Sequence, residues 1–361
     1  MKIGINGRFL LKPFTGIGQY TIEILKRLDK KNDYLVIVPE KLPRSLSGLF
    51  GKNVRLVVLP ERKLPSAGMR KTWWEQVQVA EELVKQKVDK AFFPYAGQPW
   101  TADFYRKVPA VVTVHDCIPW MDRRYRRGIL SRFYHLQSKR SLVFAEKIVT
   151  VSEESKKDLI AVCGLEEKKI EVIYNGVSEI FGTRAIVKVE KFGLKKNCYY
   201  LYVGGYDARK NVPLMLSEFE RAKSEYPLVL AGGKVVESGL YRSFDQAKDV
   251  VKMGFLTADE LNCLYQNARA LINLSQAEGF NLPVLEAAKC GTPLIISDIA
   301  VHREIYRDGA IYVDMKKAGA LSNALKKLQN DGEEWRKKAK EVSKNYSFEK
   351  AGKKTEDVLN S

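Results

Sequence analysis

Two glutamates flank a short loop in the segment QAEGFNLPVLEAAKCGTPLIISD, residues 276–298. Glu278 precedes Gly279, and Glu286 follows Pro283, which suits the first turn of a helix. The amino end of a helix favours a phosphate group, and a glycine lets the backbone approach a ligand. Carboxylates accept hydrogen bonds from vicinal hydroxyls. The segment therefore predicts a site for a sugar and a ribose phosphate, with a simple capped helix as the alternative interpretation.

Two adjacent cations, Arg209 and Lys210, lie in VGGYDARKNVPLML between a predicted strand and a predicted helix. Positive charges oppose the dipole at the start of a helix, so they are favourable there when a polyanion binds. A fork-shaped guanidinium and a compact ammonium together suit a diphosphate. The alternative is a solvated charged turn. Under either interpretation, we expect both side chains to face solvent.

The first half of the chain offers further candidates. GIGQYT contains Gly16 and Gly18 but lacks the third glycine of a dinucleotide fingerprint. We interpret these glycines as a flexible loop that faces a phosphate ahead of a helix. His115 ends the predicted strand VVTVH, where a parallel sheet presents site residues, so we favour a functional role for it. His135 and His302 are interpreted as structural.

Short apolar runs alternate with helical patterns along the whole chain. Near-continuous apolar strands joined by helices predict a parallel sheet covered on both faces. The alternation is interrupted at residues 176–197 and then restarts. We therefore predict an α/β protein with two doubly wound Rossmann-like domains that face each other across a cleft, with ligands at the carboxyl ends of the strands.

The composition is that of a soluble globular protein, with 45% hydrophobic and 29% charged residues in a chain of 361. No apolar run approaches the ~20 residues of a membrane span, and we expect no secretory signal. The 5 cysteines are scattered without a Cys-x-x-Cys pair, which indicates reduced thiols and no zinc site. No two aspartates lie two positions apart, so an Asp-x-Asp metal site is not expected.

The net charge of +18 is concentrated in the first half, most densely in residues 121–141, MDRRYRRGILSRFYHLQSKRS. Such an excess predicts an anionic partner: a phosphorylated ligand, an acidic membrane surface or nucleic acid. A basic nucleic-acid-binding protein is thus one alternative function. Ile129, Phe133 and Leu136 recur at helical spacing, and we interpret them as a packed helix face, which disfavours a nucleic-acid-binding element.

Several segments together resemble the retaining glycosyltransferases of family 4, which have the GT-B fold. In order they are TGIGQYT, WWEQ, VVTVHDCIPW, VTVSEESKKDL, VIYNGV, VGGYDARKN, GFLTADEL, EGFNLPVLEAAKCGTPLIISD and GAIYVD, and they span nearly the whole chain. The sequence resembles in particular the mannosyl- and rhamnosyltransferase-like branch that builds bacterial surface polysaccharides. The resemblance implies that a hexose, with mannose as the first candidate, is transferred from a nucleotide-diphospho sugar to a glycan or lipid-linked acceptor. It also implies that the anomeric configuration of the sugar is retained.

The resemblance also implies a domain organisation. Residues 1–182 would form the acceptor-binding domain, residues 183–340 the nucleotide-sugar-binding domain, and residues 341–361 a C-terminal helix that returns to the first domain. The nucleotide sugar is a substrate, and we expect no cofactor, metal or nucleic acid. The expected location is the cytoplasm, with residues 121–141 docking on the anionic inner face of the plasma membrane because the acceptor is often lipid-linked.

The resemblance assigns roles to the candidate side chains. Glu286 would hold the nucleotide ribose, and Glu278 would lie against the transferred sugar. Arg209 and Lys210 would hold the leaving diphosphate, and His115 would face the donor sugar.

Backbone groups complete the implied donor site. The N–H groups that bind sugar and phosphate oxygens would be those of Gly279, Phe280, Asn281 and Leu282. Gly16 and Gly18 would close over the diphosphate. The chain departs from many members at Gly204-Gly205, where they have Gly-Arg, so more of the diphosphate charge falls on Arg209 and Lys210. Because a fold alone does not fix a function, a nucleotide-sugar epimerase on the same fold is a second alternative.

Overall fold

The chain folds as two units: residues 1–176 with 348–361, and residues 177–347. The structure, a computed structural model, describes residues 1–126, 128–233 and 249–361. Arg127, part of the predicted membrane-docking segment, lies outside the described residues. The division falls between residues 176 and 177, earlier than the predicted 182, and residues 341–347 belong to the second unit.

The N-terminal unit is built on a parallel sheet. Its strands are β1 (Lys2–Asn6), β2 (Asp33–Val38), β3 (Val54–Val58), β4 (Lys90–Phe93), β5 (Ala110–Val114), β6 (Lys147–Thr150) and β7 (Ile170–Val172). They form a 7-stranded sheet in the order β3-β2-β1-β4-β5-β6-β7. Strands β4 and β5 are buried along their whole length, which explains their continuous apolar sequences. The order reverses between β1 and β4, the switch point at which doubly wound sheets bind ligands.

Helices cover this sheet. They are α1 (Gly16–Leu25), α2 (Arg44–Ser47), α3 (Ala67–Trp73), α4 (Val79–Lys85), α5 (Ala102–Lys107), α6 (Ile118–Met121), α7 (Ile129–Ser141) and α8 (Glu153–Cys163). A π-helical turn, Trp74–Gln78, joins α3 to α4. Short 3-10 turns span Arg8–Leu11, Arg123–Tyr125, Leu142–Phe144 and Glu167–Lys169. Trp74 and Phe93 are buried in the core beneath these helices.

The C-terminal unit repeats the architecture. Its strands are β8 (Tyr200–Val203), β9 (Leu228–Ala231), β10 (Val250–Gly254), β11 (Ala270–Asn273), β12 (Leu294–Ser297) and β13 (Ile311–Val313), in the parallel order β10-β9-β8-β11-β12-β13. Its described helices are α9 (Val212–Ala222), α10 (Ala258–Asn267), α11 (Leu282–Lys289), α12 (Ala300–Tyr306) and α13 (Ala320–Ser343), with 3-10 turns at Val189–Phe192 and Ala208–Lys210. The prediction of two doubly wound Rossmann-like domains is confirmed. Here the switch point lies between β8 and β11.

The last helix, α14 (Phe348–Asn360), belongs to the N-terminal unit and is held there by a buried carboxylate. Glu356 accepts hydrogen bonds from the Tyr34 hydroxyl and from Asn32 Nδ2, both at 2.7 Å. The backbone N–H of Asp29 donates to the same carboxylate at 3.2 Å. Because a buried carboxylate is costly unless it is hydrogen-bonded, these contacts fix the end of the chain against residues 29–34.

Candidate functional site

The loops that follow β8 and β11 lie side by side at the switch point of the C-terminal sheet. The two strands are neighbours, so their carboxyl ends meet at one edge. The loop after β8 ends in the 3-10 turn Ala208–Lys210, and the loop after β11 leads into α11. The backbone N–H of Gln276 donates to the carbonyl of Arg209 at 2.7 Å. Strand order therefore brings together two loops that are distant in sequence.

Glu278 bridges both cations of the first loop. Its Oε2 lies 2.5 Å from Arg209 Nη1, and its Oε1 lies 2.6 Å from Lys210 Nζ. Arg209 Nε also lies 3.1 Å from Asp207 Oδ1. The side chains of Glu278, Arg209 and Lys210 thus form one ionic group, called here the Glu278 ion-pair group.

The expectation that both cations face solvent is wrong. Lys210 is buried, with only 7% of its surface exposed, and the Arg209 side chain is 22% exposed. A buried ammonium is tolerated when an anion pairs with it, and Glu278 supplies that anion. The sequence identified each loop but not the bond between them, which depends on the adjacency of β8 and β11.

The charge state of Glu278 follows from its neighbours. Burial alone would raise the pKa of this carboxyl, but the positive charges of Lys210 and Arg209 outweigh burial and lower it to about 2. Glu278 is therefore ionised at neutral pH. It can accept hydrogen bonds from hydroxyl groups but cannot donate a proton.

Glu286 lies on α11 in a different environment. It is 5% exposed, and the Tyr265 hydroxyl donates to its Oε2 at 3.0 Å. Burial raises its pKa to about 7, with the Tyr265 hydrogen bond acting in the opposite direction. The second glutamate therefore changes its protonation near neutral pH, whereas Glu278 does not.

A buried polar network supports the loop before α11. Asn281 has a left-handed backbone, with φ of 74°, and its Nδ2 lies 3.1 Å from Asn273 Oδ1 and 3.0 Å from His302 Nε2. His302 Nδ1 lies 2.9 Å from the Ser297 carbonyl, which can only accept, so Nδ1 carries the proton and Nε2 accepts from Asn281. Both ring nitrogens of His302 are thus satisfied, and its structural interpretation is confirmed.

This network was missed in the sequence. Asn273 is the last residue of β11 and is fully buried, and the Tyr306 hydroxyl donates to the Asn281 carbonyl at 2.9 Å. An asparagine at the end of an otherwise apolar strand is the signal that points to it. The network fixes the backbone of Phe280, Asn281 and Leu282, whose N–H groups were predicted to bind the donor.

His115 belongs to the N-terminal unit and directly follows β5. Its Nε2 lies 2.9 Å from the Pro94 carbonyl, so this nitrogen is the donor, and the Tyr20 ring packs edge-on at 4.7 Å. Burial lowers its pKa to about 4, and the Pro94 hydrogen bond partly opposes that shift. His115 is therefore neutral at physiological pH, and its predicted contact with a donor sugar stays a prediction.

The interpretation of Gly16 and Gly18 as a loop ahead of a helix is wrong, because both residues lie in the first turn of α1. The N-cap is Thr15, whose Oγ1 accepts from the Gly18 N–H at 3.1 Å. A Cβ at Gly18 would lie 2.1 Å from the Lys12 carbonyl oxygen. This glycine therefore lets the segment after β1 pack closely on α1.

A second polar cluster at the switch point of the N-terminal sheet was also missed. Glu75, fully buried in the π-helical turn, accepts from the Tyr95 hydroxyl at 2.6 Å and from the Tyr134 hydroxyl at 3.0 Å. Arg8 Nε lies 3.8 Å from the same carboxylate. Burial raises the pKa of Glu75. The segment WWEQ contains this residue, but its apolar neighbours gave no indication that the carboxylate faces inward.

The packed helix face expected in the basic segment is wrong. Ile129, Phe133 and Leu136 are 83%, 52% and 45% exposed. Helical spacing places the three on one side of α7, but it does not determine what covers that side. The argument against nucleic-acid binding that rested on this face therefore loses its support. Within residues 1–126, 128–233 and 249–361, no helix has the length and apolar character needed to cross a membrane.

Both units of the chain match models of known protein families. Residues 14–179 match the model described as Glycosyltransferase Family 4, and residues 186–346 match the model described as Glycosyl transferases group 1. The two matches together cover most of the chain and both units.

Similar proteins extend over the same length. O-antigen chain mannosyltransferase B of Escherichia coli is 26% identical, with 93% of this chain and 92% of that protein covered. O-antigen chain mannosyltransferase RfbU of Salmonella typhimurium is 26% identical, with 90% of each chain covered.

Solved structures share the fold. WaaG, a glycosyltransferase involved in lipopolysaccharide biosynthesis, aligns over 100% of both chains with a TM-score of 0.76 and 14% identity. HepE of Anabaena, in complex with UDP and glucose, covers 100% of this chain and 99% of its own, with a TM-score of 0.74 and 17% identity. With both units matched end to end, the chain belongs to glycosyltransferase family 4 and has the GT-B fold.

Proposed function

We propose that this glycosyltransferase transfers a hexose from a nucleotide-diphospho sugar to a glycan or lipid-linked acceptor, with mannose as the first candidate for the hexose. The observation that carries the proposal is the Glu278 ion-pair group at the carboxyl ends of β8 and β11, beside the amino end of α11. Two similar proteins are O-antigen chain mannosyltransferases, which supports mannose and a role in surface-polysaccharide synthesis.

The chemistry requires stabilisation of a leaving diphosphate. When the bond between the sugar and the diphosphate breaks, its electron pair stays on the diphosphate oxygen. Arg209 and Lys210 offset that charge as fixed cations, held in place by Glu278. The partial positive charge at the amino end of α11 acts in the same direction. Glu278 accepts hydrogen bonds from hydroxyls of the sugar, and Glu286 accepts from those of the ribose.

Retention of configuration follows from attack on the face that the diphosphate leaves. The acceptor hydroxyl forms the new bond to the anomeric carbon, and its proton goes to the departing diphosphate oxygen. This route requires no nucleophile from the protein. We also propose that the reaction requires no metal, since the developing charge is offset by side chains and helix N–H groups.

Release of nucleoside diphosphate from GDP-mannose, dTDP-sugars and UDP-sugars tests the proposal. We expect release from GDP-mannose in particular, insensitive to EDTA and strongly reduced in Glu278→Gln. NMR of the product should show the anomeric configuration of the donor. An epimerase would change the sugar without releasing nucleoside diphosphate, and a nucleic-acid-binding protein would do neither, so either result would contradict the proposal.

A cytoplasmic location at the inner face of the plasma membrane is part of the proposal. Residues 121–141 combine basic side chains with the exposed apolar side chains of Ile129 and Phe133. Basic residues near an anionic leaflet contribute about 1 kcal/mol each, so a few are enough for reversible docking. Docking would bring the enzyme to a lipid-linked acceptor.

A further inference from the structure

A cavity of about 530 Å³ opens in the N-terminal unit beside α7. Most of its lining residues have basic side chains: Arg123, Arg126, Arg132, His135 and Lys139. Two further lining residues, Trp120 and Leu136, are apolar, and no acidic residue from the described part of the chain belongs to the lining.

Local structure explains why these residues converge. Arg132, His135 and Lys139 are spaced by three and four residues on α7, so they share one face of the helix. Arg123 lies in the 3-10 turn that precedes α7. The indole Nε1 of Trp120 on α6 donates to the His135 carbonyl at 3.0 Å and fixes the two helices against each other. The packing of α6, the 3-10 turn and α7 therefore forms the cavity, which is more than a gap between exposed side chains.

The positive charges of the cavity are not neutralised from within. Among the residues the structure describes, Arg123, Arg126, Arg132 and Lys139 form no ion pair, and Arg126 Nε is buried without a hydrogen-bond partner. Asp122, the one acid of residues 121–141, pairs with Arg124 at 2.7 Å, and Arg124 does not line the cavity. Like charges held this close repel one another, and an anion between them would relieve that repulsion.

The potential of the cavity also acts on His135. Burial lowers the pKa of this imidazole, and the charges of Lys71 and Arg126 lower it further. Of these two charges only Arg126 lines the cavity, and the larger cause of the shift is burial.

Apolar surface adjoins the cavity. Trp120 and Leu136 contribute to its wall, and Ile129 and Phe133 lie exposed on α7, two turns and one turn before Leu136, respectively. An inorganic anion would leave this surface unused. A ligand with an anionic head and an apolar chain would satisfy both parts.

We propose that this cavity binds the diphosphate group of a lipid-linked acceptor, with the lipid chain along the exposed apolar side chains of α7. Arginine forks match phosphate oxygens in pairs, and a lysine adds a point charge. The inference rests on the proposed transferase function and deepens it by naming the group by which the acceptor is held. General attraction to a membrane surface does not require a cavity, so the two proposals can be tested apart.

Titration with farnesyl diphosphate, a soluble lipid diphosphate, tests the inference. We expect the wild-type protein to bind it at least about tenfold more tightly than farnesol, which lacks the charged head. The double variant Arg132→Gln/Lys139→Gln should bind it about tenfold or more weakly. The matched control Arg140→Gln/Lys107→Gln loses the same charge outside the cavity and should change affinity less than about twofold. Thermal unfolding checks that both variants fold, and Arg123→Gln replaces the cavity variant if it does not.

Three results would overturn the inference. If both double variants bind farnesyl diphosphate equally weakly, net charge alone causes the binding. If the wild type binds farnesol as tightly as farnesyl diphosphate, the apolar surface alone causes it. If the cavity variant loses binding to anionic phospholipid vesicles but keeps the wild-type affinity for farnesyl diphosphate, the cavity binds membrane lipids. Nucleoside-diphosphate release by the wild type is measured separately. Release without farnesyl diphosphate binding removes only this inference, and binding without release removes the transferase function.

Discussion

Glu278 and Glu286 are both almost fully buried, yet their pKa values are shifted in opposite directions, to about 2 and to about 7. Burial acts on both in the same direction. The difference comes from Lys210 and Arg209, which contact Glu278 and not Glu286. Two residues of one type, eight positions apart, thus serve as a fixed anion and as a group that titrates near neutral pH.

Donor affinity should depend on pH through Glu286. In the proposed role, the carboxylate of Glu286 is ionised above about pH 7 and would accept from both ribose hydroxyls; below that pH it is protonated and would lose acceptor capacity. We therefore expect the Kd for GDP-mannose, measured by calorimetry, to rise as the pH falls from about 8 to about 6. Glu286→Gln should bind more weakly at all pH values and show little of this dependence. An unchanged pH profile in Glu286→Gln would refute the assignment.

Removal of Lys210 should cost stability as well as turnover. Lys210→Met leaves the buried Glu278 with only Arg209 beside it, and breaking a buried ion pair on one side costs about 3–5 kcal/mol in free energy of unfolding. Adding Glu278→Gln should restore part of that loss, since the unbalanced buried charge disappears. Urea unfolding measures both variants, with Lys196→Met on the exposed surface as control. Equal stabilities of the wild type and Lys210→Met would contradict the role of this ion pair in folding.

Residue types and loop positions were predictable at the candidate site, but bonds between loops were not. Arg209, Lys210 and Glu278 each stand out as polar residues after apolar strands. Their mutual contact requires knowledge that β8 neighbours β11, which no local pattern contains. The same limit applies to His302 and Asn281, which meet only after α12 packs beside α11.

Among the elements, the strands were the most predictable. Strands buried on both faces have continuous apolar sequences, such as AVVTV in β5 and LIIS in β12, and such runs are visible in the sequence without knowledge of the fold. The π-helical turn at Trp74–Gln78 was not predicted, because apolar spacing in so short a segment does not distinguish i→i+5 from i→i+4 hydrogen bonding. The exposure of the apolar side of α7 was not predicted either, because spacing defines a face and not its partner.

The start of α1 offers a test of close backbone packing. Gly18→Ala would place a methyl group 2.1 Å from the Lys12 carbonyl oxygen, so α1 or the preceding segment must shift. We expect a loss of about 1–3 kcal/mol in free energy of unfolding, typical of overpacking. Gly332→Ala, next to the kink at Asp331 in α13, has open space around its Cβ and should change stability by less than about 0.5 kcal/mol. Equal effects of the two changes in chemical denaturation would contradict the packing argument.

For the molecule as a whole, the net charge of +18 bears on where the enzyme works. We expect co-sedimentation with anionic liposomes at low salt, weak binding to neutral liposomes, and loss of binding at high salt, since exposed charges are screened. Changing Arg123, Arg124, Arg126 and Arg127 to Ser should reduce anionic-lipid binding. Equal binding to both lipids, or none to either, would remove the membrane proposal and leave the transferase proposal intact.

The attachment of α14 should matter for global stability. Glu356→Leu leaves the buried Tyr34 hydroxyl and Asn32 amide without their shared acceptor, at an expected cost of about 2–4 kcal/mol in free energy of unfolding. Tyr34→Phe removes one donor and keeps the carboxylate bonded to Asn32, so it should cost less. Thermal and urea unfolding would rank the two variants, and the opposite order would show that the carboxylate is not what holds the helix.

The position of α14 after the second unit in the sequence has a consequence for biosynthesis. Residues 1–176 leave the ribosome first, but the helix that contacts Asn32 and Tyr34 is translated only after the whole second unit. We therefore expect the first unit to complete its folding only after the second unit has been translated. A chain truncated by a premature stop exposes the site that α14 should cover, and we expect proteases to degrade such products faster than the full-length enzyme.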